Sequence, residues 1–178
     1  MASPSSPRSA SASTPGCTTP TPGSSPGVVE LARALPKTPI VLDRVGGAIG
    51  LGPYAGRRDE VFAQWSGRIR ELAACPNVHI KLGGLGRRMF GFTHHLGERG
   101  ELPPSAEELV AAWRPCIETC IAAFGAERAM FESNFPVDKG SCGYQALWNA
   151  FKRIAAGCSA AEKAALCWGA AKRFYRLE

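Results

Sequence analysis

A short apolar run that stops abruptly at polar residues constrains the fold of this chain most. Residues 129–131 (AMF) are apolar, residues 132–134 (ESN) are polar, and Pro136 ends the segment. A strand buried on both faces of a parallel sheet has this pattern. In open α/β sheets and in barrels, chemistry takes place beyond the carboxyl ends of the strands, so the polar residues of this segment are candidates for a functional site.

Two earlier segments have the same form. Residues 40–42 (IVL) run into Asp43 and Arg44, and residues 78–82 (VHIKL) run into a pair of glycines. Between the three apolar runs, apolar residues recur at helical spacing. This order predicts an α/β fold built of parallel βα units with right-handed crossovers. Three parallel strands make a small sheet with exposed edges, so we expect further strands outside this chain.

Capping boxes predict where two of the helices begin. Ser105 and Glu108 form one S-x-x-E pattern, and Ser159 and Glu162 form another. In such a box, each of the two side chains satisfies a backbone N–H group of the first turn. Pro115 lies inside the first of these helices and predicts a kink or a break there.

The first 26 residues differ in composition from the rest of the chain. They are almost all Ser, Thr, Pro, Ala and Gly, and Arg8 is their only charged residue. Such a segment cannot bury enough apolar surface to offset its conformational entropy. We therefore expect residues 1–26 to be a disordered leader and residues 27–178 to form one domain. The leader lacks the apolar stretch of a secretory signal, whereas organelle import stays open because the segment is Ser-rich and has no acidic residue.

Composition and charge argue against several classes of function. The seven cysteines are odd in number and lack the spacing of a disulfide framework, which favours reduced thiols and a cytoplasmic location. No stretch approaches the roughly 20 apolar residues of a membrane span. The net charge is +6, but the basic pairs at 57–58, 87–88 and 172–173 are dispersed along the chain. We expect neither nucleic acid nor a membrane as a partner.

Three segments resemble the amidohydrolase-related (amidohydrolase 2) family of the metal-dependent hydrolase superfamily. They are IVLDRVGG, NVHIKLGGLG and RAMFESNFPVDKGS, and the resemblance covers residues 28–177. It implies that the chain is the C-terminal portion of a TIM (β/α)8 barrel, with its three strands as the sixth, seventh and eighth. A complete barrel takes about 250 residues, so the first five strands would have to come from elsewhere.

The resemblance also implies a family metal centre that this chain fits poorly. Family members bind a divalent metal such as zinc through an H-x-H pair on the first strand, a His after the sixth and an Asp after the eighth. The metal activates a water that attacks a carbonyl. Here the His position holds Arg44 and the Asp position holds Asn134, and neither side chain suits a cation. We expect no metal in this chain, and some branches of the family work without one.

Four residues at the strand ends are candidates for catalysis. Asp43 would act as a base or as an orienting group, and Asn134 occupies the position of the missing metal ligand. Asp138 is the nearest carboxylate to Asn134 and would serve as a general base if its pKa were raised. The alternatives are an ion pair of Asp43 at the sheet rim and an Asx-turn at Asp138. Glu132 is a weaker candidate, because a regular strand directs it away from the face of Ser133.

Substrate contacts are predicted from basic residues. Arg44 would bind a substrate carboxylate through its bidentate fork. His94 and His95 lie in the long connection after the second strand, where one of them would be a donor or an acid; the alternative is a pair of ordinary loop histidines. His79 and Lys81 share one face of that strand and need polar partners if this face is internal.

Together these features predict a hydrolase that acts on a C–O or C–N bond at a carbonyl, such as a lactone or an amide. We expect an incomplete fragment with weak activity or none, and decarboxylation stays open within the family. Whether the chain alone is an enzyme is also open, because the H-x-H strand and the usual His and Asp are missing. The alternative is a non-catalytic subunit that pairs, through its exposed sheet edge and uncovered helix faces, with another copy or with the missing half of the barrel.

Overall fold

A four-stranded parallel sheet with helices packed on both faces forms the framework of the molecule. This computed structural model describes residues 10–11, 26–47, 50, 54–90 and 102–178. The strands lie side by side in the order β1 (Ala10–Ser11), β2 (Ile40–Leu42), β3 (Val78–Leu82) and β4 (Ala129–Phe131). Every neighbouring pair is parallel, which confirms the predicted α/β fold of parallel βα units.

Strand β1 corrects the expectation of three strands. Ala10–Ser11 lies within the segment predicted to be a disordered leader, and it pairs with Ile40 and Val41 of β2. A strand of two residues needs no apolar side chains of its own, because its pairing uses backbone groups along the edge of β2. A composition rule that counts apolar residues therefore does not detect it. The rest of the expected leader, up to residue 25, lies outside the described residues.

The described residues form six α-helices, and both capping boxes begin helices as predicted. The bounds are α1 (Pro26–Ala34), α2 (Arg58–Ala73), α3 (Ala106–Phe124), α4 (Tyr144–Ile154), α5 (Ala160–Ala164) and α6 (Ala170–Tyr175). The boxes at Ser105 and Ser159 are complete, with both reciprocal hydrogen bonds present. A turn of π-helix, Ala165–Gly169, joins α5 to α6. None of the described helices is both long and apolar enough to cross a lipid bilayer.

Helix α3 continues through Pro115 without the break that we considered. Trp113, Cys116 and Ile117 lie on either side of the proline and are buried in the core. Because packing holds the helix on both sides, the loss of one backbone hydrogen bond does not interrupt it.

The main core lies between one face of the sheet and helices α2, α3 and α4. Alternate strand residues point into it, and all of them are buried: Ile40, Leu42, Val78, Ile80, Leu82, Ala129 and Phe131. Trp65, Trp113 and Phe151 supply the largest buried side chains on the helices. Burial of each large apolar side chain stabilises the fold by about 1.5 to 3 kcal/mol, so this core fixes the positions of the strand ends.

Helix α6 covers the opposite face of the sheet. Ala170 and Phe174 pack there against Val41 and Met130 in a second, smaller apolar cluster. The ring of Phe174 also contacts the ring of His79, with 4.9 Å between their centroids. This second face of the sheet is therefore covered in the described part of the molecule. Within the described sheet, β4 pairs with a strand on one side only.

Arg128 ties the beginning of β4 to the end of α2. Its guanidinium donates to the carbonyl oxygens of Ala73 at 2.9 Å, Cys75 at 2.9 Å and Val78 at 3.2 Å. The last carbonyls of a helix lack partners within the helix, and a cation there also meets the negative end of the helix dipole. The fork of Arg128 thus joins the start of β4 to the end of α2 and to the first residue of β3.

Candidate active site at the strand ends

Three neighbouring strands bring charged side chains together at their carboxyl ends. The register pairs Leu42 with Ile80, which places Asp43 beside Lys81. The ammonium of Lys81 lies 3.0 Å from Oδ1 of Asp43 and 3.9 Å from Oε2 of Glu132. The ammonium of Lys81 thus lies between two carboxylates. One follows β2 and the other follows β4, and they are distant in sequence.

Partial burial shapes the charge state of this group. Burial disfavours the charge of Lys81, but hydrogen bonds to Asp43 and Tyr175 and the negative charge of Asp43 outweigh it, so the pKa of Lys81 is raised. Burial raises the pKa of Glu132, against the opposing charge of Lys81 and the hydrogen bond from Arg44. Lys81 therefore remains protonated at neutral pH, and Glu132 takes up a proton more readily than an exposed glutamate.

A left-handed turn follows β2 directly. Arg44, Val45, Gly46 and Gly47 have φ values of 53°, 48°, 71° and 80°. A β-branched residue with positive φ is a genuine outlier, and each such residue costs on the order of 1 to 3 kcal/mol. The carbonyl oxygen of Val45 accepts a hydrogen bond from Nε1 of the buried Trp65 at 2.8 Å. Backbone strain held in place at a strand end is typical of a functional site.

Two glycines after β3 allow the strand ends to approach closely. A Cβ atom at Gly83 would lie 2.1 Å from the carbonyl oxygen of Glu132, and one at Gly84 would lie 2.7 Å from Cγ of Arg44. Gly84 also has a φ of 69°, which glycine adopts without strain. The pair of glycines therefore lets both Arg44 and Glu132 pack against the end of β3.

A second polar group lies after β4. Nδ2 of Asn134 donates to Oδ1 of Asp138 at 2.6 Å, and Asn134 has a φ of 52°. Asparagine tolerates this left-handed conformation better than most residues. Asp138 is almost fully buried, and burial raises its pKa despite the hydrogen bond from Asn134. Ser141 donates from its hydroxyl to the carbonyl oxygen of Asp138 at 3.0 Å.

The structure brings four of the predicted residues to one edge of the sheet. Asp43 and Arg44 follow β2, while Asn134 and Asp138 follow β4. Instead of an Asx-turn in an exposed loop, Asp138 is buried in a short 3-10 helix, Val137–Gly140. The predicted His94 and His95 lie outside the described residues.

Lys81 enters the site without having been chosen from the sequence, and Glu132 enters it although it was the weaker candidate. The partner that we expected Lys81 to need is Asp43, and the strand register would have revealed it. Glu132 ranked lower because a regular strand would direct it away from the face of Ser133, but β4 ends at Phe131, so alternation does not extend to Glu132. Its Oε1 accepts a hydrogen bond from the backbone N–H of Arg44 at 3.1 Å.

The described residues do not offer the donor set of the family's metal centre. Among them, no group of three or more His, Cys, Asp or Glu side chains is placed to hold a metal ion. Arg44 is permanently protonated, and the amide of Asn134 is turned toward Asp138. The polar groups at the described strand ends are carboxylates, an amide and two cations.

Two curated proteins are similar to this chain in sequence. An uncharacterized protein of Sinorhizobium fredii, y4mH, is 40% identical over 149 residues, which are 84% of this chain and 42% of that protein. An L-fucono-1,5-lactonase of Burkholderia multivorans is 34% identical over 122 residues, which are 68% of this chain and 38% of that protein. The chain thus spans less than half the length of these two relatives.

A solved structure shares the fold and about three tenths of the aligned residues. It is an amidohydrolase from Burkholderia multivorans with bound zinc, 30% identical, with a TM-score of 0.69 over 86% of this chain and 49% of that one. The family model described as amidohydrolase matches residues 19–177. The match covers nearly all of the chain, including the three segments whose strand ends form the charged group. The chain belongs to the amidohydrolase family.

Proposed function

We propose that this chain carries the C-terminal half of a TIM-barrel hydrolase whose substrate is a lactone. The parallel βα units support the partial barrel, as does the share of about half that the chain covers in a solved amidohydrolase. The similarity to an L-fucono-1,5-lactonase supports a cyclic ester as the substrate. The observation that carries the proposal is the carboxylate of Asp43, held at the carboxyl end of a parallel strand beside Lys81.

Asp43 is the general base of the proposed reaction. Its carboxylate forms an ion pair with Lys81, and about a fifth of its side chain is exposed, so a water molecule can reach it. Asp43 takes a proton from that water while the water oxygen bonds to the carbonyl carbon. The bond from this carbon to the ring oxygen then breaks, and the ring oxygen receives the proton from Asp43. The product is a hydroxy acid, and base catalysis of this kind contributes about 10²- to 10⁴-fold.

The neighbouring residues bind and orient the substrate. Arg44 supplies a guanidinium that pairs with a carboxylate or with sugar hydroxyls. Asn134 is fixed by its 2.6 Å bond to Asp138, so its remaining amide groups can recognise a hydroxyl. Asp138 is buried, and we assign it the role of orienting Asn134 instead of the role of the base. The solved relative binds zinc, but Arg44 and Asn134 do not suit a metal, and no step here depends on one.

Acid release from L-fucono-1,5-lactone tests the proposal, followed with a pH indicator. The full chain should open the lactone slowly but faster than buffer, and Asp43→Asn should lower the rate about 100-fold or to the background. Glu71→Gln, an exposed carboxylate in α2, is the control and should leave the rate unchanged. A chain that never exceeds the spontaneous rate, or an Asp43→Asn variant that matches the unmodified protein, would contradict the proposal.

A second candidate function is pairing with another chain through the edge of β4. The observation that favours it is the position of β4 at the end of the sheet order in the described part of the molecule. The partner is either another copy or a chain that supplies the remaining strands. Light scattering after size-exclusion chromatography would show a concentration-dependent mass, and a monomer at all concentrations would count against self-association.

A further inference from the structure

Lys81 is the cation at the centre of the charged group at the strand ends. Its ammonium contacts carboxylates from two other strand ends, with 3.0 Å to Asp43 and 3.9 Å to Glu132. A third neighbour is the ring of Tyr175 in α6, whose centroid lies 5.7 Å from Nζ. The ammonium of Lys81 is thus held by residues from three elements. It lies between two carboxylate oxygens, both opposite in charge to the ammonium.

The surroundings of Lys81 are those of a bound cation more than those of a surface ion pair. The charges of Asp43 and Glu132 repel each other, and the ammonium of Lys81 lies between these carboxylates, with the charge of Arg44 also acting on Glu132. The side chain of Lys81 is 22% exposed, so the ammonium is neither sealed in nor freely solvated. A lysine ammonium has three N–H groups, and the contacts with Asp43 and Tyr175 use two of them, which leaves one for a ligand.

We propose that the Lys81 ammonium is the built-in cation of the strand-end site, filling the place between Asp43 and Glu132 and binding the carbonyl oxygen of the substrate. This inference rests on the proposed lactone hydrolysis. An ammonium aimed at a carbonyl oxygen stabilises the negative charge that develops there during attack by water. In this arrangement Lys81 faces the carbonyl oxygen, and Asp43 takes the proton of the water. Each partner of the ion pair therefore has its own role in the reaction.

The first test asks whether Lys81 fills a cation position, and it needs no turnover. Lys81→Ala vacates the space between the carboxylates, whereas Lys81→Met fills it without charge. Manganese(II) suits carboxylate and water ligands. By isothermal titration calorimetry with manganese chloride, Lys81→Ala should bind at least about tenfold more tightly than the unmodified chain, and Lys81→Met should not. Equal manganese binding by all three proteins would overturn the inference.

Folding of the alanine variant is part of the same test. If two uncompensated carboxylates prevent Lys81→Ala from folding, manganese(II) should restore its circular dichroism, because binding to a native site is coupled to folding. A variant that stays unfolded in manganese(II) would count against the proposal. Lys139→Ala is the matched control, since Lys139 is exposed at the same edge of the sheet, and it should gain no manganese affinity.

The second test asks whether Lys81 binds an oxygen of the ligand. Gluconate, a hydroxy acid of the product class, is titrated into the full chain, Lys81→Met and Lys139→Met. Lys81→Met should weaken binding about tenfold or more, and Lys139→Met should not. Equal affinity in all three would show that Lys81 has only a structural role. If the unmodified chain does not bind gluconate, the lactone proposal fails, while the manganese experiment still decides the position of Lys81.

Discussion

The backbone N–H of Arg44 donates a hydrogen bond to Oε1 of Glu132 at 3.1 Å, across 88 residues of sequence. Glu132 follows β4, and Arg44 opens the left-handed turn after β2, so this bond joins two strands that are not neighbours in the sheet. A carboxylate that braces a strained turn has a structural role as well as an electrostatic one. The turn would lose an obligatory partner without it.

Replacement of Glu132 should separate these two roles. Glu132→Ala removes the acceptor of the Arg44 N–H and should lower the free energy of unfolding by about 1 to 3 kcal/mol. Glu132→Gln retains an acceptor oxygen and should lose less. Urea unfolding measures both. The control is Glu71→Ala, an exposed member of an ion pair with Arg68, which should change stability by less than about 0.5 kcal/mol. Equal losses in the alanine and glutamine variants would show that the hydrogen bond does not brace the turn.

Stability should depend on pH through Glu132. Its pKa is raised, mainly by burial, above the ordinary value of 4.5, so the folded protein binds this proton more tightly than the unfolded chain. The contribution of Glu132 to the free energy of unfolding is fully present below that ordinary value. It is lost as the pH rises through the raised pKa, by at most about 1.4 kcal/mol per pH unit.

Urea midpoints from about pH 5 to about pH 8 measure this dependence. Glu132→Gln should flatten the curve only in part, because burial also raises the pKa of Asp138 and gives the same sign. Burial lowers the pKa of His79 and gives the opposite sign, so the comparison of the two proteins is decisive, and a curve that Glu132→Gln leaves unchanged would contradict the prediction.

A methyl group at Gly83 should disrupt the end of β3. The new Cβ would meet the carbonyl oxygen of Glu132 at 2.1 Å, and a backbone atom cannot rotate away as a side chain can. Gly83→Ala should therefore cost about 3 kcal/mol or more of unfolding free energy. Gly67→Ala is the opposite case, since Gly67 lies in α2 with no atom within 4 Å of its added Cβ. It should stabilise the protein by about 0.5 to 1 kcal/mol. Thermal unfolding of the two variants should shift in opposite directions, and a neutral Gly83→Ala would argue against the close approach.

The guanidinium of Arg128 should resist conservative replacement. Lysine cannot reproduce a fork that reaches three carbonyl oxygens, so both Arg128→Lys and Arg128→Ala should lose about 2 to 4 kcal/mol in urea unfolding. Arg68→Ala, which removes an exposed arginine from α2, should lose less than about 0.5 kcal/mol. Full stability in Arg128→Lys would show that charge alone, and not the geometry of the fork, holds the end of α2.

Sequence signals that span a few residues predicted helices and strands of the fold. The features that these signals missed depend on contacts between residues that are far apart in sequence. The serines at 105 and 159 identify helix starts because a capping box is complete within four residues. Strand β1 lacks any such signal, since its pairing depends on the edge of β2. Pro115 suggested a break that the packing of α3 against the core overrides.

The candidate site was predictable where polar residues directly follow an apolar run. Asp43 and Asn134 were found in this way. Lys81 lies inside its strand, so its partner depends on the register of two parallel strands, which the sequence of either strand alone does not specify. Glu132 depends on the residue at which β4 ends, and one residue of difference reverses the face that is predicted for its side chain.

The hydrogen bond from the indole of Trp65 to the carbonyl oxygen of Val45 makes the left-handed turn visible by fluorescence. A fully buried indole emits at short wavelength, and its spectrum responds when its hydrogen-bond partner shifts. A ligand that reshapes the turn after β2 would therefore change the emission of Trp65. The chain has four tryptophans, so comparison with a Trp65→Phe variant would isolate the part of the emission that reports occupancy of the strand-end site without any label.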